Sequence, residues 1–353
     1  MTQEKKERQS NFELLRILLM LTIPVYHLML YNGVFYMDYH KNVAPGLFLS
    51  SGGAITADYA FIALTSYFLL ESKDRPVIRR FLTFGAQVLT LYVIRFIVIR
   101  GLWGFHSGNW FVEDYILGGA WWFVAPYMVL LLVYPWLNRL MERLSRGWHG
   151  MLCLGLAIWF VINGMTLQMN FVNDLVAFLL TYFVMGYLRR DDYRRWIFPT
   201  GKKWMAGIYM TGFLFTFFYA WYVKMPGVMA NDDAANLVVK HLIGKYAPLQ
   251  FVMGLAVFFF FRALRLRQSP LIMAKSVFFV FLLHETVMGV YWYFGKINGQ
   301  YPYYSVAGFW GWLVVYAATC LLVGIVAQKL YTGFLAPLWK RGIDAFCKKC
   351  GFQ

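Results

Sequence analysis

Long runs of apolar residues recur along the whole chain, and the short segments between them hold most of the charged residues. Each run is about 17 to 25 residues long, which is the length that a helix needs to cross the hydrocarbon core of a bilayer. The pattern therefore predicts an all-α polytopic membrane protein. Its ten predicted transmembrane helices lie at residues 12–33, 53–71, 81–101, 121–138, 150–168, 173–188, 204–223, 246–261, 271–294 and 305–328.

The composition agrees with this interpretation and argues against a soluble protein. Of the 353 residues, 60% are apolar, 20% are aromatic and only 14% are charged, which is too apolar for a soluble domain of this length. The charged segment 1–10 precedes an apolar run without a small-residue cleavage site, so we predict an uncleaved first helix. We expect a single membrane domain over residues 1–353, with no appended soluble domain.

Basic residues are distributed unevenly between the two alternating sets of loops. The N-terminus, every second loop and the C-terminal segment carry 24 Lys and Arg residues, whereas the other loops carry 5. By the positive-inside rule, this bias predicts cytoplasmic termini and a multi-pass protein of the plasma or inner membrane. The bias also accounts for the net charge of +16, so we expect no nucleic-acid partner, which would need a solvated basic domain.

The first apolar run carries three ionisable residues, Glu13, Arg16 and His27. Charged groups at membrane depth cost at least about 2.5 kcal/mol each even on a lenient insertion scale, so these side chains must face protein or a water-filled cavity. The helical repeat brings Arg16 and His27 to the same face, about 16 Å apart along the axis. Glu13 precedes Arg16 by three residues, a spacing at which a carboxylate can pair with the guanidinium.

An arginine, ten intervening residues and a histidine in the first helix resemble the start of the membrane acyltransferase-3 family. The segments 61–70, 121–138 and 274–285 also resemble this family, especially its branch of capsule and exopolysaccharide O-acetyltransferases. The resemblance implies a catalytic role for His27 and an acyl-CoA site that includes Arg16. It also implies a carbohydrate acceptor on the outer face of the membrane.

The ninth apolar run carries a second histidine, His284, which is followed by Glu285. From the predicted inner end of its helix, His284 lies about 20 Å along the axis, a depth similar to that of His27 in the first helix. A lone buried histidine is usually structural, but two at one depth in a membrane favour a functional pair. We predict that His27, His284 and Glu285 form the catalytic group, with Glu285 fixing the tautomer of His284.

Basic residues near the predicted cytoplasmic surface are candidates for binding the phosphate groups of a coenzyme. Arg79 and Arg80 end the loop 72–80, and Lys275 lies in the first turn of the ninth helix. The loop also fits an ordinary positive-inside loop that contacts anionic membrane lipids, and Lys275 could simply extend toward the surface. The predicted binding residues for acetyl-CoA are Glu13, Arg16, Arg79, Arg80 and Lys275.

Charged and aromatic residues of the predicted outer half are candidates for acceptor binding. Asp58 and Arg95 lie about 7 and 9 Å below the outer ends of their helices, where they can form a structural ion pair or bind an acceptor. The aromatic residues near position 121 fit a membrane-interface belt as well as a sugar-binding platform. The predicted acceptor-binding residues are Asp58, Arg95, Trp121, Trp122 and Tyr127.

No spacing of residues along the chain indicates a metal site. The long loop 224–245 holds Asp232, Asp233 and His241, but their separations match no ligand pattern, and we predict a lid there instead. The single motif Cys347-Lys-Lys-Cys350 has no second pair nearby, so we expect reduced thiols and no metal.

The sequence thus predicts an O-acyltransferase that moves an acetyl group from cytoplasmic acetyl-CoA to a hydroxyl of an envelope glycan or a lipid-linked sugar. His27 would act as general base toward the hydroxyl or would carry the acyl group itself, and His284 would orient the acceptor or stabilise the oxyanion. Two other interpretations stay open. The first is a ten-helix transporter, and the second is an enzyme with a succinyl or other acyl donor, or with a non-glycan acceptor.

Overall fold

Helices make up most of the part of the chain that the computed structural model describes, namely residues 10–31, 43–72, 76–103, 122–166, 171–190, 201–229, 241–264, 266, 271–293 and 306–352. No strand occurs in these ranges. A π-helical turn, Tyr331–Leu335, joins the last two long helices. The long helices are α1 (Ser10–Tyr31), α2 (Val43–Gly52), α3 (Ala54–Leu70), α4 (Val77–Trp103), α5 (Val124–Arg143), α6 (Arg146–Thr166), α7 (Phe171–Arg190), α8 (Gly201–Met229), α9 (Pro248–Arg262), α10 (Leu271–Tyr293), α11 (Val306–Leu330) and α12 (Ala336–Lys349).

The predicted apolar runs all form helices, with ends close to the predicted ones. Helices form there because backbone N–H and C=O groups in a bilayer must be bonded within their own segment. Eight helical segments of the described residues are long and apolar enough to cross a membrane. The helices α8 and α10 have 29 and 23 residues but fall outside that set. The polytopic all-α class is therefore confirmed, whereas ten crossings and cytoplasmic termini stay predictions.

Helix α3 lies at the centre of the bundle, where it packs against α1, α5, α7 and α9. Of its 17 residues, 14 are buried, so it has almost no surface left for lipid. The approach of α9 depends on Gly254, because a Cβ atom at this position would lie 2.5 Å from Cβ of Tyr59 and 2.8 Å from the carbonyl oxygen of Thr56. This packing fixes the height and rotation of α3 in the bundle.

Helix α10 packs against α1, α4 and α11, and two contacts with α11 hold it in place. A Cβ atom on Gly324 would lie 2.3 Å from a methyl carbon of Val280, so only glycine allows the two helices to approach this closely. The Tyr316 hydroxyl donates a hydrogen bond of 2.8 Å to the backbone carbonyl of His284. Both contacts lie within one turn of the second predicted catalytic histidine.

The C-terminal helix α12 was not predicted, and it packs against α4. Its buried residues Ile343 and Cys347 pack with Ala86, and the indole N–H of Trp339 donates a 3.0 Å hydrogen bond to the Thr90 hydroxyl. The basic segment that the charge pattern treated as a tail is thus an ordered part of the bundle.

Candidate active site

A cavity of about 1080 Å³ lies among α1, α3, α4, α5 and α10. Arg16, Arg80 and Lys275 line it at the end where α1 and α10 begin, together with Glu13 and Glu71. The middle of the cavity is lined mainly by aromatic and aliphatic side chains. Its volume slightly exceeds the range for ordinary ligand sites, about 300 to 1,000 Å³. A cavity with a basic mouth and an apolar interior suits a long ligand that has an anionic head.

The other end of the cavity stops one helical turn short of the two predicted catalytic histidines. On α1 the lining positions recur every three or four residues up to Ile23, and His27 is the next position on that face. On α10 they recur in the same way up to Phe281, and His284 is the next position there. Asp58 lines the same end of the cavity from α3.

His27 and His284 contact each other directly, with 2.7 Å between Nδ1 of His27 and Nε2 of His284. The other ring nitrogen of His284, Nδ1, lies 2.6 Å from the backbone carbonyl oxygen of Phe281. A carbonyl oxygen only accepts hydrogen bonds, so Nδ1 of neutral His284 carries the proton and Nε2 carries the lone pair. His27 therefore donates from Nδ1 to that lone pair, and its own basic lone pair lies on Nε2.

The two histidines differ in exposure, since the His284 side chain is fully buried whereas that of His27 is 16% exposed. The partly exposed ring is the one whose basic lone pair lies on Nε2. We call this hydrogen-bonded pair the histidine dyad. In this arrangement His284 orients His27, and His27 is the group that can meet a substrate.

Glu285 and Arg95 form a buried ion pair beside the dyad. The distance between Nη1 of Arg95 and Oε2 of Glu285 is 2.8 Å, and both side chains are 5% exposed. Oε1 of Glu285 lies 3.9 Å from Nδ1 of His27, which is too long for a hydrogen bond but close enough to favour a proton on that ring. The expectation that Glu285 fixes the tautomer of His284 was wrong. The tautomer is fixed by the hydrogen bond between Nδ1 of His284 and the Phe281 carbonyl oxygen.

A family comparison agrees with this geometry. The model of an acyltransferase domain, that of the acyltransferase-3 family, matches residues 9–328, which include every helix around the cavity and the dyad. The chain belongs to the acyltransferase-3 family. It is therefore a membrane acyltransferase. No curated protein and no solved structure matches the chain.

The predicted coenzyme-binding residues of this acyltransferase lie mostly at the mouth of the cavity. The Arg16 guanidinium is 5.1 Å from the ring centroid of Phe68, and Nη1 of Arg80 is 3.3 Å from the Tyr134 hydroxyl. Lys275 is exposed and lines the mouth, as does the buried Glu13. Arg79, the fifth predicted residue, does not lie at this mouth.

Arg79 does not line the main cavity of the acyltransferase. Its guanidinium pairs with the carboxylate of Asp344 on α12, and it lines a smaller neighbouring cavity of about 300 Å³. Arg80 lines both cavities. Adjacent positions on a helix point about 100° apart, and of these two arginines only Arg80 reaches the main cavity.

The predicted acceptor-binding residues are not grouped together by the structure. The prediction of an ion pair between Asp58 and Arg95 was wrong, since Arg95 pairs with Glu285. Two side chains at the same depth in the membrane do not meet unless their helices turn them toward each other. Tyr127 lines the main cavity, where its ring is 4.7 Å from that of Phe84. Trp121, Asp232 and Asp233 lie outside the described residues.

Trp122 belongs to a buried charged group that the sequence analysis missed. The Lys245 ammonium lies 4.0 Å from its ring centroid and 2.6 Å from Oδ1 of Asp174, which also accepts a 2.8 Å hydrogen bond from Tyr246. Lys245 had been counted as a basic residue of the loop 224–245. One signal could have identified the pair of Lys245 and Asp174. Lys245 directly precedes an apolar run, and both residues lie at the predicted outer ends of their helices.

Three side chains of the acyltransferase site have the composition of a metal site. The ligand atoms of His27, His284 and Glu285 lie within 4.8 Å of one another. However, nitrogen ligands on a tetrahedral zinc ion lie about 3.3 Å apart, whereas the facing nitrogens of the dyad are 2.7 Å apart. The carboxylate is also paired with Arg95. The geometry is that of a hydrogen-bonded dyad, and the lack of a metal remains a prediction.

Proposed function

We propose that this acyltransferase moves an acetyl group from cytoplasmic acetyl-CoA to a hydroxyl of an envelope glycan or lipid-linked sugar outside the plasma membrane. The observation that carries the proposal is the histidine dyad one helical turn beyond the far end of a cavity with a basic mouth. A coenzyme with its phosphates at the mouth would extend its thioester arm toward His27, because Arg16 and His27 are about 16 Å apart along one helix.

The first route through this site uses His27 as a general base. Nε2 of His27 removes the proton from the acceptor hydroxyl while the hydroxyl oxygen attacks the thioester carbonyl carbon. The resulting imidazolium of His27 still donates the hydrogen bond from its Nδ1 to His284. Glu285 lies near enough to stabilise the added positive charge. Collapse of the tetrahedral intermediate breaks the carbon–sulfur bond, and the leaving thiolate takes the proton from Nε2.

The second route uses the same nitrogen as a nucleophile. Nε2 of His27 attacks the thioester, the coenzyme leaves as a thiolate, and the acyl group remains on the imidazole. The acceptor hydroxyl then attacks the acyl-imidazole, its proton is released, and neutral His27 is restored. Both routes need the lone pair on Nε2, which is where the bond between His284 and the Phe281 carbonyl places it.

Replacement of His27 by Ala or Gln tests the proposal. We expect turnover to fall at least about 100-fold, the usual contribution of a positioned acid–base group, with little change in acetyl-CoA binding, since His27 acts on the transition state. The measurements are acetyl groups on envelope glycans by mass spectrometry, and labelled acetyl transfer per molecule of folded, coenzyme-binding protein.

A matched control is His149→Gln, because His149 is also fully buried and bonds a backbone carbonyl through Nε2 at 3.0 Å, but does not line the cavity. This variant should keep its turnover per folded molecule. Near-normal turnover in either His27 variant would remove that residue from the mechanism. Labelled acetyl that stays on the protein without acceptor would select the second route.

A further inference from the structure

Both routes through the site form a tetrahedral intermediate, whose negatively charged oxygen is stabilised by a hydrogen-bond donor. His284 has no N–H group left for this purpose, because its Nε2 accepts the hydrogen bond of His27 and its Nδ1 proton bonds the Phe281 carbonyl oxygen. Arg95 and Lys245 carry donors, but each is paired with a buried carboxylate and neither lines the cavity. Among the described residues, the remaining candidates are the side chains on the cavity wall.

Asp58 is a polar side chain on this wall, at the far end of the cavity. It lines this end from α3, together with the apolar side chains of Ile23, Phe123 and Phe281. Along α3 it lies about 20 Å from Glu71, which lines the mouth. A donor whose phosphates bind at the mouth and whose thioester approaches the histidine dyad therefore brings its carbonyl group to the part of the wall that holds Asp58.

The Asp58 carboxyl has no partner among the residues that the structure describes. Asp58 is only 8% exposed, and it makes no hydrogen bond or ion pair with those residues. Lys245 acts on it electrostatically, but the Lys245 ammonium is paired with Asp174 at 2.6 Å. An unpaired carboxyl in apolar surroundings takes up a proton rather than carry a charge. Asp58 therefore has an O–H group that can donate a hydrogen bond.

We propose that the O–H group of Asp58 donates a hydrogen bond to the thioester oxygen and stabilises the oxyanion that forms when the carbonyl carbon is attacked. The inference rests on the proposed function and adds a catalytic residue to it. The proton stays on Asp58 throughout, and the hydrogen bond weakens again when the carbonyl re-forms and the thiolate leaves. A neutral donor suits this position, because a carboxylate would repel the oxyanion.

Asp58→Leu tests this role, because it removes the O–H group and leaves an apolar side chain of similar size. Since the buried carboxyl has no partner to lose, the variant should be at least as stable as the natural protein in thermal unfolding. Turnover should nevertheless fall about 100-fold or more, as it does on loss of one oxyanion donor. The dissociation constant of acetyl-CoA, measured by calorimetry on purified protein, should change less than about threefold, because the bond strengthens in the transition state.

Two further variants separate the donor from the side chain that carries it. Asp58→Asn has an amide N–H group that can donate from the same place, so its turnover should stay within about 10-fold of the natural value. Ser66→Ala is the matched control, because Ser66 is a buried polar residue of the same helix that does not line the cavity and bonds the Ile62 carbonyl. Its turnover should be unchanged.

Turnover is measured in cell membranes as labelled acetyl transfer and as coenzyme thiol released from acetyl-CoA, above the background of His27→Ala. Natural turnover in Asp58→Leu, or equal losses in Asp58→Leu and Asp58→Asn, would refute the oxyanion role while the donor site stands. If the natural protein released no thiol above that background, the proposed donor would be overturned, and the role of Asp58 with it. If Asp58→Leu does not fold, Asp58→Ala removes the same O–H group and decides in its place.

Discussion

The histidine dyad predicts that His284 affects turnover although it does not contact the substrate. His284→Leu replaces the ring by an apolar side chain and leaves Nδ1 of His27 without its acceptor. In the transition state His27 is positively charged, and a hydrogen bond from a charged group contributes about 1.5 to 3 kcal/mol. At about 1.4 kcal/mol per factor of ten, turnover should fall about 10- to 150-fold.

The assay for His284→Leu is labelled acetyl transfer per folded molecule, with acetyl-CoA binding measured in parallel. Binding should be unchanged, because the cavity ends at Phe281, one turn before the substituted ring. His284→Gln provides the matched comparison, since its amide oxygen can still accept the proton of His27 and should restore part of the rate. Turnover within twofold of the natural enzyme in His284→Leu, or an equal loss of binding and turnover, would refute the orienting role.

Two further substitutions test the mouth of the cavity and the buried ion pair. Arg16→Ala should weaken acetyl-CoA binding about 10-fold or more through loss of a charge-assisted phosphate contact, whereas Arg146→Ala, at an exposed position outside the cavity, should not. Equal binding in both variants would contradict the assignment. Arg95→Met leaves the Glu285 carboxylate buried without its cation and should cost about 3 kcal/mol of stability, seen in thermal unfolding in detergent. Glu285→Gln added to that variant should recover much of the loss, and no recovery would argue against the pair.

The helices could be predicted from the sequence because lipid imposes a simple rule. A segment of about 20 apolar residues must be helical to satisfy its backbone, and each predicted run is a helix in the structure. The C-terminal helix α12 was missed because its pattern is amphipathic and basic. Its contact with α4 depends on Ile343, Trp339 and Cys347, which no count of apolar residues identifies.

The depth of functional side chains was predictable, whereas their partners were not. Helical rise alone places His27 and His284 at one level, and the structure joins them. The same reasoning placed Asp58 near Arg95, but the direction of a side chain around the helix axis depends on packing, and Arg95 faces Glu285 instead. Sequence separation therefore predicts how deep a side chain lies in the membrane. It does not predict the direction in which the side chain points around the helix axis.

The cavity itself could not be predicted, because its walls come from five separate helices. Its mouth included Arg16 and Arg80 as expected, but Arg79 turned to α12. Lys245 was assigned to a loop because it is charged, although it is buried against Asp174 and Trp122. A charged residue next to an apolar run can belong to either environment, and only tertiary contacts decide between them.

The apolar far end of the cavity has a consequence for the permeability of the membrane. Ile23, Phe123 and Phe281 line that end, so the wall of the described helices is apolar between the basic mouth and the dyad. In the proposed function, an acyl group on a long arm reaches the outer half while the soluble head of the donor stays at the mouth. The protein then needs no alternating access, unlike a transporter, and an apolar constriction of this kind resists wetting and ion leakage. Purified protein in a planar bilayer should show no conductance, with or without donor, while it transfers acyl groups across the hydrophobic barrier.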